Sequence, residues 1–167
     1  MLLTGPPGSG KSAVAGALGT LLEVDEVPYG GIEIDQLSWG WPWLTLEQCL
    51  EQLRSLVASQ LQAGRRLLLI VATPETRAEL DAVLGAVGAS GALVVCLSVS
   101  PELAARRVAD REPDAWPGKA GLVEHSRVLA ARIPGLAGID AVIQTEDREA
   151  PAVADEIRGM IRARFGL

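Results

Sequence analysis

Short apolar segments with the length of β-strands recur along the chain and alternate with longer amphipathic segments. Five strands are predicted, at residues 1–4, 30–35, 67–72, 92–99 and 141–144. The third and fourth are apolar at nearly every position, which is typical of strands in a parallel sheet that is covered on both faces. The second begins with a glycine turn and ends in an acid, Asp35.

The segments between these strands carry apolar residues at helical spacing. Six helices are predicted, at residues 12–22, 46–63, 75–87, 101–111, 120–133 and 151–164. Thr45 precedes the second of them and can form a capping box with Gln48. The apolar stripe of that helix is Leu46, Leu50, Leu53, Val57 and Leu61. The alternation of strand and helix predicts an α/β fold with a parallel sheet, right-handed crossovers and helices on both faces.

Composition and charge narrow the class of protein. The 167 residues have the length of one domain, and we expect residues 1–167 to form a single one. A hydrophobic content of 49% with 22% charged residues is that of a globular protein, and a net charge of −6 argues against a nucleic-acid partner. The sequence shows neither an apolar run near the roughly 20 residues of a membrane span nor a signal-peptide pattern. We therefore expect a cytoplasmic protein without a membrane partner.

The cysteines and the histidine limit the possible metal chemistry. Cys49 and Cys96 are isolated and lack metal-site spacing, so we expect two buried thiols rather than a disulfide. His125 is the only histidine, which excludes a site with several histidine ligands.

The stretch with the most specific pattern is Gly5-Pro6-Pro7-Gly8-Ser9-Gly10-Lys11-Ser12. It fits G-x-x-x-x-G-K-[ST] at every fixed position and lies between a predicted strand and a predicted helix, as a phosphate-binding loop does. Backbone N–H groups of such a loop surround nucleotide phosphates, the lysine reaches the β- and γ-phosphate oxygens, and the hydroxyl binds Mg²⁺. The predicted nucleotide contacts in this loop are Gly5, Gly8, Ser9, Gly10, Lys11, Ser12 and Ala13.

Three polar residues, Asp35, Thr73 and Thr145, come just after predicted strands or at their ends. Ligands of open parallel sheets bind beyond the carboxyl ends of the strands, so we expect these side chains in one crevice. Asp35 can take a proton from a substrate hydroxyl or join Ser12 in holding Mg²⁺; alternatively it only starts a turn. Glu33 lies on the same face of the predicted strand and is the alternative acid.

With the loop Gly5–Ser12, Asp35 and the segment Arg106–Arg111, the chain resembles the small P-loop kinases, such as the shikimate, gluconate, adenylylsulfate and nucleoside monophosphate kinases. The resemblance implies a three-layer P-loop NTPase fold with a five-stranded parallel sheet of order 2-3-1-4-5 and a short lid. It implies ATP and Mg²⁺ as cofactors and transfer of the γ-phosphoryl group. It also implies that Thr145 and Arg148 lie near the adenine base.

Two arginines, Arg107 and Arg111, project from one face of a predicted helix because they are four residues apart. Their guanidinium groups suit a transferring phosphoryl group, and Arg111 is also a predicted nucleotide contact. A solvated arginine face is the alternative. With Lys11 and Asp35, these arginines are the predicted catalytic residues. The break in regular structure over residues 112–119 indicates a short lid, or else an ordinary connection between helices.

Three of the four tryptophans lie within five residues of one another. They can form a wall for an acceptor with a ring or a hydrophobic body, or a local cluster that packs the next helix on the sheet. Arg127 can bind an anionic group or be a surface charge. The predicted substrate-side residues are Glu33, Trp39, Trp41, Trp43, Thr73 and Arg127.

The leading interpretation is an ATP-dependent kinase for a hydroxyl of a small molecule, acting as a monomer or homodimer. A nucleotide-binding regulatory module or pseudo-kinase is the alternative, because residues 69–74 end the third strand without the usual metal-supporting aspartate. A nucleoside monophosphate kinase is a second alternative. It needs a basic acceptor site, whereas residues 36–53 contain no arginine or lysine.

Overall fold

The computed structural model of the protein describes residues 1–88 and 91–167. Within these residues, one sheet is formed by β1 (Leu2–Thr4), β2 (Tyr29–Glu33), β3 (Leu67–Val71), β4 (Val94–Ser98) and β5 (Ala141–Gln144). The order in the sheet is β2-β3-β1-β4-β5, and every pair of neighbours is parallel. The predicted α/β fold, its five-stranded parallel sheet and the order 2-3-1-4-5 are therefore confirmed.

The α-helices of the described residues are α1 (Lys11–Val24), α2 (Ile34–Leu37), α3 (Leu46–Gln62), α4 (Arg77–Val87), α5 (Pro101–Arg111), α6 (Lys119–Arg132) and α7 (Ala150–Phe165). A short 3-10 helix, Ile133–Gly135, follows α6. Six of the α-helices match the predicted ones within a few residues, and α2 is additional. In residues 1–88 and 91–167, no helix has both the length and the hydrophobicity that a membrane crossing requires.

Helices cover both faces of the sheet because successive side chains of a strand point to opposite sides. Leu3 packs in a core cluster with residues of α1 and α7, whereas its neighbour Leu2 packs in a second cluster with residues of α3 and α4. Burial on both faces explains the nearly continuous apolar sequences of β3 and β4. Cys49 and Cys96 are buried free thiols, as expected.

The predicted boundaries of the second strand are wrong. The strand begins at Tyr29 and ends at Glu33, so that Gly30 and Gly31 lie inside it and Asp35 lies in α2. Glycines usually indicate a turn, but here Gly30 permits a close approach. A Cβ on Gly30 would lie 3.0 Å from the Cδ atom of Arg65, which follows α3.

The start of α3 matches its prediction more closely than its apolar stripe does. The N–H of Gln48 donates to Oγ1 of Thr45 at 3.3 Å, and the N–H of Thr45 donates to Oε1 of Gln48 at 2.9 Å, which is the predicted capping box. The predicted stripe is wrong at Leu46 and Leu61, which are 44% and 54% exposed. The buried residues of α3 are Cys49, Leu50, Leu53 and Val57.

Candidate active site

The loop between β1 and α1 curls tightly and packs directly on α5. Gly8 has a φ of 83°, in the left-handed region that favours glycine. A Cβ on Gly8 would lie 2.7 Å from the carbonyl oxygen of Ala104 in α5. Both the backbone conformation and the space at this position therefore require glycine.

The first turn of α1 presents unpaired amides at the end of this loop. The first helical hydrogen bond runs from the N–H of Val14 to the carbonyl of Gly10, at 3.0 Å. The N–H groups of Lys11, Ser12 and Ala13 precede that bond and have no acceptor within the helix. Among the described residues, no side chain caps them, because the N-cap residue is Gly10. Such a helix terminus has the geometry and the dipole for a bound phosphate.

Lys11 lies beneath the loop and is only 9% exposed. Its Nζ atom donates to the carbonyls of Gly5 at 2.9 Å and Pro6 at 3.0 Å. Burial lowers the pKa of Lys11 to about 8, an effect that nearby Asp35 opposes and nearby Arg111 reinforces. The ammonium group is therefore held in place by two carbonyls, while burial leaves its positive charge only partly stabilised.

The hydroxyl of Ser12 contacts an acid at the end of β2. Its Oγ atom donates to Oε2 of Glu33 at 3.1 Å. Asp35, the acid that was predicted to share a metal with Ser12, lines the same cavity from α2. The structure thus brings both predicted acids to the site and places Glu33 against the hydroxyl. Glu33 rather than Asp35 contacts Ser12 because β2 ends at Glu33 and α2, which contains Asp35, redirects the chain.

Two cavities meet at the phosphate-binding loop. The larger has a volume of about 930 Å³ and is bordered by the loop, by β2 and α2, and by the segment between α5 and α6. The smaller has a volume of about 230 Å³ and extends toward the start of α7. Both are lined by Gly8, Gly10, Ala13 and Arg107. The loop therefore separates two compartments, each of which opens onto it.

The two predicted arginines occupy different positions around the loop. Nη1 of Arg107 donates to the carbonyl of Gly8 at 3.1 Å, and its side chain lines both cavities. Arg111 lines only the larger cavity, and its Nη2 atom lies 2.6 Å from Oε1 of Glu112. Arg107 thus contacts the loop directly, whereas Arg111 pairs with Glu112 at the edge of the larger cavity.

Thr145 and Arg148 lie at the smaller cavity. The Thr145 side chain is buried, and its Oγ1 atom lies 3.1 Å from the carbonyl oxygen of Ser9 and 3.2 Å from that of Ser98. This hydroxyl connects the loop to the end of β4. Arg148 pairs with Glu156 at 2.7 Å.

The structure separates the predicted substrate-side residues into two groups. Trp39, Trp43 and Thr73 line the larger cavity together with Glu33. Trp41 is 88% exposed and lies outside the lining. Arg127 also lies outside the lining and pairs with Glu124 on the surface of α6, at 2.9 Å.

A further aromatic residue, Trp116, lines the larger cavity and was not among the predicted site residues. It belongs to the segment between α5 and α6 that was predicted as a lid, and Glu112 and Pro113 of this segment also line the cavity. The N–H of Trp116 donates to the carbonyl of Pro113 at 3.0 Å. The only signal in the sequence was a tryptophan among the turn-forming residues of this loop.

A phosphate-binding loop after the central strand of a parallel sheet with order 2-3-1-4-5 defines the fold of the small P-loop kinases, and this chain has that fold. A sugar kinase from Janibacter sp. HTCC2649 is similar with a TM-score of 0.63 and 20% identity, over 98% of this chain and 94% of that one. A gluconokinase from Sinorhizobium meliloti 1021 has a TM-score of 0.60 and 21% identity, over 99% and 93%. A shikimate kinase from Acinetobacter baumannii has a TM-score of 0.57 and 18% identity, over 98% and 93%.

These similarities concern the fold, because the identities are low. No protein-family model matches the chain, and no curated protein matches it by sequence.

Proposed function

We propose that the protein is an ATP-dependent phosphotransferase that moves the γ-phosphoryl group of Mg-ATP to a hydroxyl of a small molecule. The observation that carries this proposal is the loop between the two cavities, with Gly8, Gly10 and Arg107 on the walls of both. A nucleotide then lies with its base in the smaller cavity and its terminal phosphate in the larger one, beside the acceptor. The similar structures named as sugar, shikimate and gluconate kinases support the same class of reaction.

The residues around the loop are suited to bind a nucleoside triphosphate. The amides of the first turn of α1 receive phosphate oxygens, as helix N-termini do. Lys11 reaches the β- and γ-phosphate oxygens from below the loop, and Arg107 reaches them from α5. Arg148 borders the compartment proposed for the base. Thr145 holds the loop in the conformation that this binding requires.

The residues beside the loop also fit Mg²⁺. This ion prefers oxygen ligands and is usually bound by one or two carboxylates together with substrate phosphates and water. The Ser12 hydroxyl and the Glu33 carboxylate, whose oxygens are 3.1 Å apart, provide such ligands. When bound, Mg²⁺ neutralises charge on the β- and γ-phosphate oxygens.

The transfer requires a proton acceptor on the acceptor side. The hydroxyl oxygen of the acceptor forms a bond to the γ-phosphorus, the bond from that phosphorus to the β–γ bridging oxygen breaks, and ADP leaves. The hydroxyl proton passes to a carboxylate oxygen of Asp35, since Glu33 is engaged with Ser12. Lys11 and Arg107 offset the negative charge that develops on ADP.

A nucleotide-binding module without transferase activity is the second candidate. It is favoured by the end of β3, where Thr73 lines the cavity and residues 69–74 include no acid. Such a module binds ATP without consuming it in the presence of any acceptor.

Titration calorimetry with ATP and Mg²⁺, followed by an ADP-release assay with hydroxyl compounds, tests these functions. Lys11→Ala should abolish ATP binding. Arg54→Ala, which removes an exposed cation from α3 away from both cavities, should leave it unchanged. Wild-type affinity in Lys11→Ala would contradict the nucleotide site. ATP binding without ADP release for any acceptor would favour the regulatory module.

A further inference from the structure

Three indole side chains from two separate segments converge on the larger cavity. Trp39 and Trp43 come from the segment between α2 and α3, and Trp116 comes from the segment between α5 and α6. Their exposed fractions are 81%, 62% and 39%. Large exposed apolar side chains gathered at one cavity indicate a binding surface rather than a core. Val71 and Leu122 add further apolar lining to this cavity.

The cationic side chains that line this cavity are already engaged. Among the described lining residues they are Lys11, Arg107 and Arg111. Lys11 and Arg107 donate to carbonyls of the phosphate loop, where the nucleotide phosphates would lie. Arg111 is paired with Glu112. An anionic acceptor would therefore have to compete with ATP or with Glu112 for a cation.

The acidic side chains of the cavity strengthen this argument. Glu33, Asp35 and Glu112 all line it. A carboxylate or phosphate on the acceptor would be placed near these like charges in a partly desolvated site, which is unfavourable. An uncharged ring would contact the indoles at no electrostatic cost, and a cation would be attracted both by the indole faces and by the carboxylates.

We propose that the acceptor is an uncharged or cationic alcohol with a flat apolar body, bound between Trp39 and Trp43 on one side and Trp116 on the other. The proposal rests on the transfer to a hydroxyl proposed above. It excludes sugar acids and nucleoside monophosphates as acceptors. Asp35 then contacts the hydroxyl while the indoles hold the rest of the molecule.

A matched set of benzyl alcohols tests the charge preference. The probes are para-methylbenzyl alcohol, para-(aminomethyl)benzyl alcohol and para-(hydroxymethyl)benzoate, with gluconate and cytidine monophosphate as anionic references. Binding is measured by quenching of tryptophan fluorescence, and transfer is measured by ADP release with saturating Mg-ATP. We expect the neutral and cationic probes to bind at least about tenfold more tightly than the anionic one. Equal or tighter binding of an anionic compound, or no binding of any benzyl alcohol, would overturn the proposal.

The tryptophans supply their own control. Trp39→Ala, Trp43→Ala and Trp116→Ala should each weaken binding of the neutral probe by about tenfold and leave ATP affinity unchanged. Trp41→Ala removes an indole of the same segment that does not line the cavity and should bind the probe as the wild type does. The proposal is wrong if all four variants bind the probe equally well.

Gly118→Ala separates the position of Trp116 from its presence. A Cβ on Gly118 would lie 2.7 Å from the Cε2 atom of Trp116, so the indole must move. The φ of Gly118 is −78°, which alanine adopts without strain. We expect a loss of probe affinity in the same direction as for Trp116→Ala, with an unchanged melting temperature. Unchanged probe affinity would show that the indole position is irrelevant.

The experiment also distinguishes failure of this inference from failure of the proposed function. Probe binding is measured without nucleotide, and ATP binding is measured without probe. Tight ATP binding with ADP release only for anionic acceptors would overturn the acceptor class and keep the phosphotransferase. Absence of ATP binding would overturn the phosphotransferase itself.

Discussion

The hydroxyl of Ser12, in the first turn of α1, donates a 3.1 Å hydrogen bond to Oε2 of Glu33 at the end of β2. The two residues are 21 positions apart in the chain, and β3 lies between β1 and β2 in the sheet. This contact distinguishes two acids that line the same cavity. Glu33 belongs to the metal side of the proposed site, and Asp35 belongs to the acceptor side.

Glu33→Gln should raise the Mg²⁺ concentration needed for half-maximal ADP release. The carboxylate beside the Ser12 hydroxyl becomes a neutral amide, which is a poorer ligand and a poorer partner for metal-bound water. We expect a shift of about tenfold, with little change in kcat at saturating Mg²⁺. Steady-state kinetics over a range of Mg²⁺ concentrations measures it. An unchanged Mg²⁺ requirement would remove Glu33 from the metal side.

Asp35→Asn is the matched variant to Glu33→Gln and should have the opposite kinetic effect, a lower kcat with little change in the Mg²⁺ requirement. It neutralises a carboxylate of the same cavity without touching Ser12. Loss of the proton acceptor should lower kcat by about 10²–10⁴-fold, while ATP affinity measured by calorimetry stays within about twofold. If kcat were unaffected, Asp35 would not be the base.

ATP affinity should fall as the pH rises above about 8, since the pKa of Lys11 is lowered to about 8 by burial. Phosphate oxygens favour the ammonium form and raise this pKa in the complex, so binding takes up a proton at pH values above the pKa of the nucleotide-free protein. Affinity should then fall by up to about tenfold per pH unit. Below that pKa the lysine is already protonated, and affinity should not change through this group.

Calorimetry in buffers with different ionisation enthalpies measures this proton uptake. We expect uptake at a pH of about 9 and little at about 7. The measurement at the lower pH is the internal control. Equal uptake at both values would show that Lys11 does not titrate on binding.

Thr145→Val should destabilise the conformation of the phosphate-binding loop, while the volume of the side chain stays nearly the same. The substitution removes the hydroxyl that lies 3.1 Å from the carbonyl of Ser9 and 3.2 Å from that of Ser98. We expect the free energy of unfolding to fall by about 1–2 kcal/mol and ATP affinity to fall as well. Thr20→Val, at an exposed hydroxyl of α1, is the control and should change neither quantity appreciably. Equal effects in the two variants, measured by urea denaturation and calorimetry, would contradict the role of Thr145.

Gly8→Ala should abolish ATP binding, because alanine is strained at a φ of 83° and its Cβ would meet the Ala104 carbonyl at 2.7 Å. The left-handed backbone alone costs about 1–2 kcal/mol. Gly16→Ala is the matched control, since a Cβ there points into open space on α1. That variant should gain about 0.5–1 kcal/mol of stability and bind ATP normally. Normal ATP binding by Gly8→Ala would show that the loop tolerates a different conformation.

Most of the fold could be predicted from local patterns in the sequence. Alternating strands and helices, together with nearly continuous apolar runs in β3 and β4, were sufficient to predict a buried parallel sheet. The boundaries failed where a tertiary contact overrode a local signal. Gly30 resembled a turn residue in the sequence, but it lies within β2, where it pairs with Leu68 of β3.

The candidate site, too, could be predicted in part from local sequence, whereas the rest depended on the tertiary structure. The spacing from Gly5 to Ser12 by itself predicted a glycine-rich loop that ends at the first turn of α1, because the glycines of that pattern set the backbone conformation locally. The tertiary structure decided that Glu33 rather than Asp35 meets Ser12, and that Trp39, Trp43 and Trp116 face one cavity while Trp41 and Arg127 do not. These relations depend on where β2 ends and how α5 and α6 pack against the sheet, and such long-range packing is not encoded in the spacing of neighbouring residues.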